Sequence, residues 1–397
     1  MAQQDVMQPY KGPIFFSAGF RPLFLGATLF AGIALPLWIF FLQGLFVPAG
    51  ETFEPIYWHA HEMIFGYLGA VMGGFALTAI AEWTKRPPIS GWSLGLLVAL
   101  WLAGRIAIAL AATGTITTSI AADIDLLYLA VLAAMMAREI IAGKNRKNLI
   151  IVGLFTVFWA SNLIFHVALA ADTDPMTGLR LALVVAAVLI SVIGGRVTPT
   201  FTRNWLTREA GAPFPSAFGW PDRTALALTA IAMLVWACFP RETMAGALLI
   251  AAGVMQTWRL LRWRGERTSA EPLVFILHVG YGWLAVALLA LGGSVLLPQW
   301  VDGGAALHAL TAGAIGVMTM GVMTRATLGH TGRKLAADGG TITIYVLINL
   351  GAGLRICAHA LPMDYVSILA LSGMLWSAGF LLFAVKYGRY LLTPRVA

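Results

Sequence analysis

The sequence has 397 residues, of which 59% are apolar and only 11% charged, against about a quarter charged in soluble domains; a soluble globular protein is excluded. Net charge is +8, but the excess Lys and Arg fall in short loops between apolar runs, which is a topology signal rather than a nucleic-acid surface. Two cysteines, Cys238 and Cys357, are too few for a disulfide framework or for an iron–sulfur cluster held by four thiolates.

About twenty apolar residues cross a bilayer. The first residues lack the basic start of a cleaved signal, so the first apolar run is read as a retained helix. Hydropathy then predicts twelve spans, at about 22–44, 59–81, 92–112, 117–138, 149–171, 179–201, 223–240, 243–261, 273–297, 304–325, 341–361 and 364–386. The expected fold is an all-α polytopic membrane protein, one integral domain over 1–397. Loops on one side carry Lys85 and Arg86; Arg138, Lys144, Arg146 and Lys147; Arg203, Arg208 and Arg223; Arg259, Arg262, Arg264 and Arg267; and Arg325, Arg333 and Lys334. The opposite loops carry Glu51, Glu54, Asp172, Asp174, Asp302 and Asp364. The cation bias places both termini in the cytoplasm.

Depth follows from the 1.5 Å rise per helical residue. His59, His61, His166, His308 and His359 share the outer level, whereas His278 and His330 lie toward the cytoplasm. His308 and His330 are 22 residues apart, about 33 Å in a helix, so they cannot share a metal. Charges inside spans need partners. Arg105, Arg355, Asp123, Asp125 and Glu62 sit in the outer half with the histidines, with Asp172 and Arg180 at the rim. Arg105 and Arg355 either pair with Asp125 and Glu62 as structural bridges or hold cofactor carboxylates such as haem propionates.

Within Trp58-His59-Ala60-His61-Glu62-Met63, His59 and His61 diverge by about 200° on a helix, so they serve different partners, His61 facing inward. Span two reads His61-x4-Gly66-x2-Gly69-x4-Gly74 and span ten reads His308-x4-Gly313-x2-Gly316-x4-Gly321. This shared spacing gives either close helix packing or two grooves that clamp a haem with His61 and His308 as axial ligands. Asn162 and His166 share a helix face. Met318, Met320 and Met323 suit Cu(I) by chemistry but read more simply as packing. A proline kink is expected at Pro199, with Arg196, Arg203 and Arg325 grouped near the cytoplasmic surface; they bind lipid, a quinone or the propionates of an inner haem held by His278 and His330. No phosphate-binding glycine loop supports ATP-driven transport, no Cys-x-x-Cys-His attaches haem covalently, and no Ser-His-Asp order supports a hydrolase.

The sequence resembles the NnrS family, polytopic haem- and copper-containing membrane proteins associated with the bacterial nitric oxide response. The resemblance is carried by Ser17-Ala18-Gly19-Phe20-Arg21-Pro22, Trp58-His59-Ala60-His61-Glu62-Met63 with Phe65-Gly66, Gly91-Trp92, Leu100-Trp101-Leu102-Ala103-Gly104-Arg105, Gly195-Arg196-Val197-Thr198-Pro199 with Phe201-Thr202, and the run from His308 to Arg333. It covers most of the chain. It differs from the haem–copper oxidases and nitric oxide reductases, whose adjacent histidines and His-Pro-Glu copper segment are missing here. The resemblance implies non-covalent b-type haem, copper, and a part in tolerating or removing nitric oxide in a bacterial inner membrane.

On this basis His61 and His308 are the expected haem ligands, and His59 and His166, with His61 and His308 shared, the expected metal ligands. Glu62 and Asp125 relay protons, and an inner haem at His278 and His330 takes electrons from quinol. The competing readings are a twelve-span ion-coupled transporter, or a nitric oxide sensor or metal-handling protein without turnover.

Overall fold

A computed structural model describes residues 10–45, 54–208 and 213–396; Glu51 lies outside them. Twelve helices are long and apolar enough to span a membrane, and no strand occurs among the described residues. They are α1 (Phe20–Leu42), α2 (Pro55–Thr84), α3 (Gly91–Ala112), α4 (Thr118–Ala142), α5 (Arg146–Ala170), α6 (Met176–Leu206), α7 (Trp220–Cys238), α8 (Thr243–Leu261), α9 (Pro272–Leu296), α10 (Gly303–His330), α11 (Gly339–Ala360) and α12 (Tyr365–Leu392). All twelve expected spans are present, and the chain is a multi-pass membrane protein. Side-chain caps set several starts: Asp302, Asp338 and Asp364 accept from the backbone N–H groups of Ala305, Thr341 and Ser367 at 2.6, 3.0 and 2.8 Å. These satisfy donors that a helix cannot satisfy itself.

The helices form a closed ring around a centre. Neighbours in sequence pack together, and α12 returns to pack on α1. The two described ends meet at one face, where Arg21 Nη1 donates to the Leu391 and Thr393 carbonyls, both at 2.8 Å, and Val396 N–H donates to Thr331 at 2.9 Å. Outward positions such as Ile33, Ile106, Ile150 and Val385 are exposed and apolar, as a lipid-facing surface requires.

Three helices occupy the centre. In α2 and α10, 78% and 67% of the hydrophobic window is buried, against 39% in α4, α5, α8 and α11. With α6 they touch one another in all three pairs. Each is interrupted by a π-helical stretch: Glu62–Leu68 in α2, Ile190–Gly194 in α6 and Ala309–Ile315 in α10. Such stretches widen the backbone and free carbonyls. In each case a side chain two helices further on bonds a carbonyl within the stretch or directly after it. Tyr128 OH of α4 donates to Gly69 at 3.2 Å, Arg259 Nη1 of α8 to Ser191 at 2.8 Å, and Trp376 Nε1 of α12 to Ala312 at 3.2 Å. Recurrence at every fourth helix makes the fold three repeats of four: α1–α4, α5–α8 and α9–α12.

The kink expected at Pro199 takes a different form. The irregularity lies upstream, at Ile190–Gly194, and the helix runs through Pro199 to Leu206. Pro199 cannot donate to the Gly195 carbonyl, and Arg259 Nη2 approaches that oxygen at 3.5 Å instead.

Candidate metal centre

The first π stretch begins directly after His61, the last residue of a seven-residue α-helical opening, Pro55–His61. His59 and His61 are both helical and diverge as expected. His61 is fully buried, while His59 stacks on Trp38 with ring centroids 4.8 Å apart.

Around His61 three further helices contribute one polar side chain or more. Its Nδ1 lies 2.9 Å from Glu62 Oε1. Its Nε2 lies 3.0 Å from Asn162 Oδ1 and 3.2 Å from Asp125 Oδ2. Asn162 Nδ2 donates to the same Asp125 oxygen at 2.7 Å, and His166 Nε2 meets it at 3.1 Å. Arg105 bonds both Glu62 and Asp125. Asp125 is 2% exposed and His166 6%. Phe65 and Phe165 close over the His61 ring at 5.1 and 4.9 Å, which excludes water and strengthens every charge interaction inside.

Hydrogen-bond accounting identifies what this arrangement wants. The Asn162 amide nitrogen is spent on Asp125, so its oxygen faces His61 together with a carboxylate oxygen. His61 Nε2 therefore carries a proton or faces a cation, while Nδ1–H is held by Glu62. With the proton, two carboxylates balance one guanidinium and one imidazolium. Exchange of that proton for a monovalent metal ion leaves the buried charge unchanged. One ligand atom each from His61, Asp125 and His166 lies within 4.8 Å of the others, and two imidazole nitrogens with a carboxylate oxygen form a donor set for copper or zinc. Glu62 behind His61 is the carboxylate that orients a metal-bound histidine.

The other expected residues are distributed differently. His308 and Arg355 meet over Gly304. His308 Nδ1 donates to the Gly304 carbonyl at 2.7 Å, which leaves Nε2 as the basic nitrogen of a neutral ring. Arg355 pairs with neither Glu62 nor Asp125, both of which Arg105 occupies. The five outer histidines are thus divided: His61 and His166 together, His59 and His308 near Arg355, and His359 apart, stacked on Tyr365 and 3.8 Å from Asp302. Asp123 is exposed, one turn face away from Asp125. Arg180 donates to the Ala237 carbonyl at 3.1 Å instead of joining the cluster.

On the opposite side the expected inner pair is not assembled. His278 Nε2 bonds Thr202 Oγ1 at 2.7 Å, and its Nδ1 faces Gly265 so closely that a Cβ there would lie 2.5 Å away. His330 instead packs on Phe20 at 5.5 Å and borders a cavity. Nor do the three cations cluster: Arg196 is exposed, Arg203 bonds the Pro215 carbonyl at 3.1 Å, and Arg325 lies 3.8 Å over the Phe201 ring.

Two features escaped sequence reasoning. Asp222, which the sequence does not single out, and Arg259, read only as a loop cation, form a buried ion pair at 2.9 Å, continued through Tyr281 and Gln256 to Ser191 and Thr229. Arg259 at a predicted span end gave no sign of its burial; the Gly195 carbonyl, left without a donor by Pro199, was the available clue. The second feature is a cavity of about 400 Å3 between α2, α6 and α10, lined by apolar side chains including Leu68, Met72, Phe75, Ile193, Met318 and Val322. Met318, Met320 and Met323 are buried packing residues.

A family model described as NnrS protein matches residues 14–395. No curated protein matches the sequence.

Proposed function

The chain belongs to the NnrS family, and from that premise we propose that it is a haem- and copper-containing protein of the bacterial inner membrane that binds nitric oxide and reduces it. The observation that carries this reading is the convergence of His61 and His166 on one buried oxygen of Asp125 at 3.2 and 3.1 Å. This set fits copper: its two nitrogens and one oxygen are already near the spacing of ligands on a common ion. His308 fits a haem ligand, because its Nδ1–H is committed to Gly304 and its Nε2 is left basic. The crowding of His61 by Phe65, Phe165 and His166 favours a small ion there over a macrocycle.

Bound metal and haem supply the coordination position and electron storage for the gas. The residues supply the rest. Removal of two nitric oxide molecules as nitrous oxide and water consumes two electrons and two protons. With the metal on His61 Nε2, Asp125 Oδ2 and His166 Nε2, the proton left in the cluster is that on His61 Nδ1, bonded to Glu62 Oε1 at 2.9 Å, so Glu62 is the carboxylate that takes up and returns a proton beside the buried site. Arg105 fixes both carboxylates. The apolar cavity between α2, α6 and α10 concentrates an uncharged gas that arrives through lipid, and a membrane quinol is the electron donor.

The test is metal analysis, an optical spectrum and anaerobic nitric oxide consumption with a reductant, all on detergent-purified protein. Wild type should hold copper and haem. Asp125→Asn and His166→Ala should each lower copper occupancy by about tenfold or more and abolish consumption while retaining haem. Wild-type protein without either cofactor, or full copper in both variants, overturns the reading.

A further inference from the structure

Arg355 has a counterpart in another repeat. Arg105 lies on α3 and Arg355 on α11, each on the helix that follows a histidine-bearing, π-interrupted helix. Arg105 spends its guanidinium on Glu62 and Asp125. Arg355 has no carboxylate at the corresponding place. Its Nη1 is buried without a hydrogen-bond partner, and a buried donor left unpaired is costly, more so when charged. Its Nη2 lies 3.5 Å from where a Cβ on Gly304 would stand, and Gly304 also receives the His308 Nδ1–H. The nearby carboxylate, Asp302, is committed to capping Ala305 at 2.6 Å and faces His359 at 3.8 Å.

We propose that Gly304, His308 and Arg355 form a binding pocket for a planar oxyanion of the carboxylate type, taken from outside the polypeptide. A guanidinium offers parallel N–H groups that match two oxygens on one carbon or nitrogen. Gly304 leaves the room a side chain would fill; Asp302 Oδ1 lies 3.2 Å from that point but is held by its cap on Ala305, so where the first copy bonds its arginine to anions in the chain, the third takes one from a ligand. The anion is either a carboxylate of the haem, in which case the proposal rests on the function given above, or a free small oxyanion, in which case it does not.

The experiment compares full-length wild type, Arg355→Gln, Arg355→Lys and Gly304→Ala in detergent. Haem and copper per chain are measured, and thermal stability is titrated with formate and with nitrite. A haem carboxylate predicts about tenfold or greater loss of haem in Arg355→Gln, with copper at the His61–His166 centre unchanged. A free oxyanion predicts unchanged haem, saturable stabilisation of wild type by formate or nitrite, loss of that response by about tenfold or more in Arg355→Gln, and partial retention in Arg355→Lys. Gly304→Ala keeps the charge but fills the cradle, so it should reproduce either defect even if Arg355→Gln does not fold. Wild-type haem content and an unaltered anion response in Gly304→Ala overturn the proposal. Loss of copper function with an intact Arg355 phenotype overturns only the catalytic reading.

Discussion

At the scale of single residues, the same side-chain type takes opposite roles according to what stands opposite it. Arg105 neutralises two protein carboxylates, Arg259 one carboxylate and two backbone carbonyls, and Arg355 neither. Position along a helix marks Arg105 and Arg355 as charges that need partners, but not which partner each finds, and it leaves Arg259 looking like a loop cation. Asp338, outside the spans, gives a prediction of its own. Hydrogen bonds from the Lys386 ammonium and the Thr341 N–H hold its carboxyl down to about 2, whereas an unfolded Asp titrates near 3.9. The unfolded chain therefore binds this proton more readily, and the stabilisation is complete above about pH 4 and lost as pH falls toward 2. The melting-temperature gap between wild type and Asp338→Asn should be widest above about pH 4 and narrow progressively as pH falls toward 2; a gap that is constant with pH contradicts the assignment.

At the scale of elements, glycine decides how close the site-bearing helices come. A Cβ on Gly178 of α6 would lie 2.6 Å from both Phe165 N and Ser161 O of α5, backbone that cannot swing aside. That stretch of α5 carries Asn162 and His166. Gly178→Ala should cost about 1–3 kcal/mol of stability, read as a lower melting temperature, and should release copper by moving His166. Gly153→Ala on the same helix α5, where a Cβ meets nothing within 4 Å, should leave both unchanged. The shared glycine spacing of α2 and α10 was legible as a pattern; it marks helices that are both central and π-interrupted. The third such helix, α6, has no histidine at the matching place, so no motif announced it.

At the scale of the whole molecule, threefold repetition places the three broken helices side by side and leaves the 400 Å3 cavity between them. If that cavity delivers the gas, filling it should slow capture without touching the cofactors. Ala326 borders both this cavity and a smaller one of about 70 Å3 that reaches Glu82. Ala326→Phe should lower nitric oxide consumption several-fold at limiting gas concentration with copper and haem content as in wild type. Equal consumption at limiting gas would remove the cavity from the route.

Hydropathy is local, so the twelve spans, the all-α class and the common depth of His61, Glu62, Asp125 and His166 were readable from residue order alone; a bilayer demands runs of one length, and buried charge demands company. Azimuth is not local. Whether His61 turns to His166 or to His308, whether Asp123 or Asp125 points inward, and whether Arg259 lies in a loop or the core depend on which helices become neighbours. That choice is made by packing across the whole bundle, where small residues and freed carbonyls on one helix meet side chains from helices far away in the chain.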